Sequence, residues 1–209
     1  MNDPQVIAVT KQWIAVAKPS GWLTIPGRGE KRPCLVEWIS AAHGKVWVVH
    51  RLDFETSGVV LFARTAADHK EANSWFSSHK VKKTYFCMIT GAPNLPTFKI
   101  SSPIAGANSV TQVEVVEAYV EGALVRVRPL TGRRHQIRIH LSEQGYPIWG
   151  DVKYKGPNSV VLKGNTININ RTALHAEKLE LPNGEKFSVV WPDDFAYWIR
   201  ELRRGGSAL

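Results

Sequence analysis

Strand-like runs follow one another along this chain with helices interposed only at intervals. That irregular alternation excludes a doubly wound fold, in which each parallel strand pair needs a crossover helix. The apolar runs Val6–Val9 and Trp13–Ala17 open the series. Val46–Val49, Gly58–Ala63, Lys83–Gly91, Val110–Val120, Ala123–Arg128, Leu174–Leu181 and Lys186–Trp191 continue it, each β-branched or alternating. Helical spacing is expected in fewer places. One helix should begin at Pro33 and bury Leu35, Trp38, Ile39 and Ala42 before Gly44 ends it. A second starts at the capping pair Thr65 and Asp68 and turns Trp75 and Phe76 inward as it runs to about His79. A third covers about Arg133 to Gln144, closed by Gly145. The last, capped by Asp193 or Asp194, aligns Phe195, Trp198, Ile199 and Leu202 on one face. The expected class is α+β, with mixed, largely antiparallel sheets flanked by helices.

At 209 residues the chain is expected to form one domain, residues 1–209, and 44% hydrophobic content is ample for a core. No apolar run approaches the ~18 residues that span a bilayer, and Met1-Asn2-Asp3-Pro4 does not begin a signal peptide. Two cysteines are too few for a disulfide scaffold or a zinc cage. A cytoplasmic protein is expected. Lys and Arg number 27 against 18 Asp and Glu, a formal charge of +9. That excess suits a polyanionic partner, although a merely solubilising surface would carry it too.

Two segments carry chemistry. In residues 48–64, VVHRLDFETSGVVLFAR, a His, an Arg and an Asp lie between two apolar runs. A carboxylate near apolar walls needs an opposite charge or several hydrogen bonds to stay ionised. Asp53 beside Arg51 fits a nucleophile, a general base or an ordinary loop salt bridge. In residues 130–151, LTGRRHQIRIHLSEQGYPIWGD, Arg133 and Arg134 fall at an expected helix start, where the macrodipole disfavours cations. Residues set against that preference suit an anionic partner, unless they belong to a solvated basic face. His135 and His140 are poorly spaced for one helical metal site, and no metal is expected.

These segments carry a resemblance. HRLDFETSG is similar to the HRLD-x-x-TSG signature of the RluA-type pseudouridine synthases, and TGRRHQIRIHL resembles that family's later GR-x-HQ-[IL]R-x-H motif. KKTYFCMITG resembles its K-x-Y strand, AVAKPSGWLTIPG its N-terminal K-P-x-G, and ALHAEKLEL its late L-H-A strand. Gly145-Tyr146-Pro147-Ile148 with Gly150-Asp151 and Tyr154 matches as well. The matches occur in order from about residue 13 to residue 192.

The resemblance implies a pseudouridine synthase fold around a central basic cleft, and isomerisation of uridine to pseudouridine within RNA. It also implies no cofactor and no nucleotide or membrane partner; a monomer is expected. Asp53 matches the catalytic aspartate, attacking the uracil or stabilising charge at the ribose carbon. Arg51 matches the residue that fills the RNA stack when the target base flips out. Tyr85 matches the active-site tyrosine, whose ring stacks on the uracil and whose hydroxyl is placed to help remove the carbon 5 proton; Phe86, on the opposite strand face, suits the core. Arg138 matches the basic partner of the catalytic aspartate. Arg133 and Arg134 are expected on phosphates, joined by Lys82 and Lys83 beside Tyr85 and by Arg28 and Arg32 in the N-terminal loop.

His50 and His175 are expected to make structural hydrogen bonds. Thr56, Ser57 and Gly58 should shape the turn that presents Asp53, and Cys87 should be a small core residue. Many relatives carry an extra N-terminal RNA-binding module, and a stand-alone catalytic domain is expected here. Its substrate would be ribosomal RNA, transfer RNA or both. The alternative is a non-catalytic RNA-binding or RNA-folding protein on the same fold.

Overall fold

An apolar run too short for a helix, with both faces buried, makes an inner strand. Ser57–Ala63 is such a run, with every side chain buried. The computed structural model describes residues 3–27, 29, 31–207 and 209. In chain order the elements are β1 (Gln5–Val9), β2 (Trp13–Lys18), α1 (Leu35–His43), β3 (Trp47–Val48), β4 (Ser57–Ala63), α2 (Ala66–Ser77), β5 (Lys82–Thr90) and β6 (Thr97–Ile100). They continue with β7 (Thr111–Tyr119), β8 (Gly122–Pro129), α3 (Gln136–Glu143), β9 (Ser159–Leu162), β10 (Asn165–Asn168), β11 (Leu174–Glu180), β12 (Lys186–Ser188) and α4 (Asp193–Gly205). The class is α+β, as expected. Among the described residues no helix is long and apolar enough to cross a membrane.

The chain divides into two compact units, each made of two separate stretches. The first contains Met1–Lys82 and Ala176–Val190. Its strands lie in the order β1, β2, β4, β11, with β3 also on β4 and β12 on β11. β1–β2, β2–β4, β3–β4 and β11–β12 are antiparallel, and the β2–β4 register runs from Trp13 opposite Ala63 to Lys18 opposite Gly58. Trp13, Val59, Leu61, Leu179 and Phe187 form its core, with Trp75 and Phe76 packed against them. Thr65 caps α2 as expected: its hydroxyl accepts the Asp68 N–H at 3.1 Å and donates to the Asp68 carboxylate at 2.6 Å.

The start of α1 differs from expectation. Leu23 donates its N–H to Pro33 O and accepts from Leu35 N–H, a bridge that keeps Pro33 and Cys34 extended. The helix therefore begins at Leu35, and Ala42, expected inside, is exposed. Gly44 ends it as expected, at φ 73°.

The second unit contains Lys83–His175 and Trp191–Leu209. Its strands run β5, β8, β7, β6, antiparallel throughout. β6, β9 and β10 were not expected from sequence. β9 and β10 form a hairpin whose two-residue turn, Lys163-Gly164, has positive φ at both positions, the twist such hairpins favour. The core gathers Phe86, Cys87, Leu124, Trp149, Phe195, Trp198 and Leu202.

Asp193 and Asp194 sit in the first turn of α4, whose N-cap position is Pro192; neither is the cap residue. Asp194 is drawn instead to Arg171, whose Nε and Nη2 reach its two oxygens at 2.6 and 2.7 Å. Burial works to raise the Asp194 carboxyl, but Arg171 outweighs it and holds the group below its ordinary value of 3.8. The folded pKa is depressed, so this pair stabilises the fold above that value and its contribution is lost as pH falls through the folded pKa. Arg171→Met should cost about 2 kcal/mol at neutral pH, less than a fully buried pair because the Asp194 side chain keeps 35% of its surface in water. Urea unfolding at pH 7 and again in acid checks it: the gap between variant and parent should narrow in acid.

Candidate active site

Asp53 lies in the connection from β3 to β4, and the surrounding bonds go to that connection's backbone. Lys18, at the end of β2, is 1% exposed, and its ammonium donates to Pro19 O at 2.9 Å, Trp22 O at 2.8 Å and Phe54 O at 3.2 Å. Three carbonyls replace the water that a buried ammonium loses. The Thr24 hydroxyl lies 3.2 Å from both Leu52 N and Leu52 O, and Gly21 N–H donates to Phe54 O. Thr56 N–H donates to Asp53 O at 3.1 Å and closes the turn. Asp53 is half-buried at this turn, and Arg51 beside it is exposed. Arg32 stacks over the Phe54 ring at 4.4 Å. Arg28 lies outside the described residues.

Gly58 fixes where the turn enters β4. Its φ is +129°, and a Cβ built there would lie 2.2 Å from Ala176 O. Only glycine fits. His50 accepts the Leu61 N–H at 3.0 Å on Nε2 and stacks on Phe76, matching its expected structural role.

In the second unit Tyr85 and Phe86 lie on opposite faces of β5. Phe86 is 5% exposed against Trp191, and Tyr85 is half-buried. Cys87 is fully buried, and burial raises its thiol pKa, the behaviour of an inert core residue. Lys83, two residues before Tyr85, donates to Thr131 O at 3.0 Å, and burial lowers its pKa to about 8. Lys82 is exposed.

Arg133 and Arg134 are not helical. Gln136 reaches back to accept from Thr131 Oγ1 at 2.7 Å and Arg133 N–H at 3.0 Å, while its amide donates to Val110 O and Thr111 Oγ1. This clamp shapes residues 131–135 into a turn, His135 takes φ 56°, and α3 starts only at Gln136. Both arginines are exposed on that turn.

Arg138 points into the unit and is 7% exposed. Its Nε and Nη2 donate to Asp151 Oδ2 and Oδ1 at 2.6 and 2.7 Å. Asp151 belongs to the matched Gly150-Asp151 pair, but no helical or strand spacing links it to Arg138, 13 residues away across a loop. Tyr154 lies beneath the guanidinium at 5.0 Å, and its hydroxyl is 2.8 Å from His135 Nδ1. Lys18, Thr24, Gln136 and Asp151 are thus the site residues that sequence reasoning did not single out. All four lie inside the segments that carry the resemblance, but none had been given a role of its own. Trp149 is a core residue, at 0% exposure. His175 is 1% exposed and packs near Phe195. Among the described residues no three His, Cys, Asp or Glu side chains gather as a metal site.

Comparison with known proteins adds the family context. A family model described as RNA pseudouridylate synthase matches residues 12–143. The dual-specificity RNA pseudouridine synthase RluA of Escherichia coli K12 is 32% identical over 202 residues, covering 87% of this chain and 90% of that protein. The Salmonella typhi protein of the same name is 32% identical over 219 residues, covering 93% and 97%. Among solved structures, human RNA pseudouridylate synthase domain containing 4 superposes with a TM-score of 0.77 at 22% identity, covering 95% of this chain and 92% of that one. Domain containing 1 gives 0.74 at 22% identity, covering 99% and 97%. These two structures support the fold.

Proposed function

This chain belongs to the RNA pseudouridylate synthase family, and from that premise we propose that it isomerises uridines in structured RNA with Asp53 as the reacting carboxylate. The observation that carries the reading is the mounting of Asp53: a half-buried carboxylate on a turn whose backbone is held by Lys18, Thr24 and Thr56. A loop salt bridge needs no such mounting. Preorganised placement is what a group acting on one bound atom needs.

The chemistry balances without a cofactor. The bond from ribose C1′ to uracil N1 breaks and a bond from C1′ to C5 forms; C5 loses a proton and N1 gains one. Asp53 takes part either by attacking the uracil or by stabilising positive charge at C1′. Tyr85 stacks on the extruded base, and Arg138 serves as the basic partner of the reacting carboxylate. Arg51 fills the stack left by the flipped base, offsetting part of the few kcal/mol that extrusion costs. Lys82, Lys83, Arg32, Arg133 and Arg134 meet phosphates, with Arg28 as a further contact.

The Escherichia coli relative is named dual-specificity, and we carry to this chain the expectation of stem-loops in ribosomal RNA, transfer RNA or both. Mapping pseudouridines in both RNA pools, with and without the gene, tests activity and target together. A single missing site supports the reading. Unchanged maps, with RNA binding intact, would leave a non-catalytic RNA-binding protein.

Affinity should carry two signatures. If three phosphates are neutralised, binding to a stem-loop RNA weakens about 20- to 40-fold between 50 and 200 mM salt. Lys83 adds a pH term: its contact fades as pH rises through about 8, where an ordinary lysine stays charged to about 10.4. Fluorescence anisotropy across salt and pH, with Lys83→Arg for comparison, reads both. A flat salt dependence would remove the phosphate contacts.

A further inference from the structure

We propose that Asp151 is a positioning residue for the reaction, acting through Arg138; this rests on the reading of Arg138 given above. A guanidinium offers two edges to carboxylates, one through Nε and Nη2 and the other through Nη1 and Nη2. Asp151 takes the first edge with both oxygens, at 2.6 and 2.7 Å. That pairing fixes rotation of the planar group, and the second edge is the one a reacting carboxylate would use.

The mounting of Asp151 suits this task. The residue is 1% exposed, its N–H donates to Ile148 O, and its carbonyl accepts from the N–H groups of Tyr154 and Gly156. Gly150 before it has φ +76°, and a Cβ there would lie 1.9 Å from Arg171 O, so the turn has no room to shift. Tyr154 covers the guanidinium face and is tied at both ends. Its hydroxyl pairs with His135, and its carbonyl accepts from Ser142 Oγ at 2.8 Å. Arg138 is therefore held on one edge and beneath one face by residues 151–154.

A purely structural pair explains less. Buried ion pairs are commonly replaceable by apolar residues without loss of stability, so stability alone gives little reason for two desolvated charges. Orientation of a charged group is lost at once when its partner is removed, and misplacement by about 1 Å costs on the order of 100-fold in rate.

The test uses the full chain and RNA labelled with tritium at uracil carbon 5, transcribed as the stem-loop that the mapping identifies. Asp151→Asn keeps the size and one acceptor oxygen but removes the charge. It should lower kcat about 10- to 100-fold while RNA affinity stays within about twofold. In an Arg138→Met background the same change should add no further loss, because its effect runs through the missing guanidinium. Guanidinium ¹⁵N resonances of Arg138, slow-rotating in the parent, should average in Asp151→Asn; this readout needs no activity. Wild-type kcat in folded Asp151→Asn, with Arg138→Met inactive, overturns the inference and leaves the role of Arg138 standing. Full activity in Arg138→Met overturns both. Additive losses in the double variant also overturn the inference, since a separate structural role would add.

Discussion

Alanine at position 53 should leave a folded protein that binds RNA and releases no tritium from uracil carbon 5, a loss of at least about 10⁴-fold. The size follows from the chemistry: without the carboxylate nothing on the chain is assigned to capture or stabilise the ribose carbon as the C1′–N1 bond breaks. Folding should survive because the bonds from Lys18, Gly21, Thr24 and Thr56 go to backbone groups of Leu52, Asp53 and Phe54, which alanine keeps. Asp53→Asn should be equally inactive, since it restores shape without charge. Circular dichroism and anisotropy on the same preparations separate loss of chemistry from loss of fold. Tritium release persisting in a folded, contaminant-free Asp53→Ala protein would remove Asp53 from the mechanism.

Gly58→Ala should have the opposite profile, destroying the fold before any chemistry is at issue. The added methyl would lie 2.2 Å from Ala176 O and 2.6 Å from Ala176 N, both backbone atoms of a paired strand, at φ +129°. Neither strand can yield without breaking its ladder, so the cost should be at least about 4 kcal/mol. For a chain of this size that lowers the thermal midpoint by on the order of 10 °C, or leaves the protein insoluble. Gly145→Ala is the control. Its φ is +83°, but nothing lies within 4 Å of the added carbon, so only conformational strain of about 1–2 kcal/mol is paid. A wild-type midpoint in Gly58→Ala would mean that β4 and β11 do not pack this closely.

The contrast between these residues shows what the sequence could disclose. β4 and α4 were legible because burial leaves a local signature, an unbroken apolar run in one and a 3.6-residue stripe in the other. Thr65 and Gly44 were legible as a cap and a stop. Arg133 and Arg134 were misplaced onto α3 because the clamp that keeps them off it is made by Gln136 with Thr111 and Thr131, contacts that periodicity does not encode. The β9–β10 hairpin is short and turns on Lys-Gly, a weaker signal than Asn-Gly. Asp53, Tyr85 and Arg138 came from resemblance to a family; residue types and spacing alone had left Asp53 open between catalysis and a salt bridge. Asp151 fell within the resemblance, yet neither route gave it a role. A partner for Arg138 across a loop becomes visible only when distances are known.

The first unit also bears on how the protein is made. Trp13 donates to Glu185 across 172 residues of chain, and Gly58 presses on Ala176. During synthesis the segment bearing Asp53 leaves the ribosome long before β11 and β12 exist to complete its sheet. Until Ala176–Val190 emerges, the edge of β4 opposite β2 is paired only by β3, at Phe62 and Ala63, and the rest of a mostly apolar strand stands open, the kind of surface that nascent-chain chaperones shield. Premature termination before that point should yield an aggregation-prone fragment rather than a weak enzyme. The long separation also makes closure of this sheet a late, slow step.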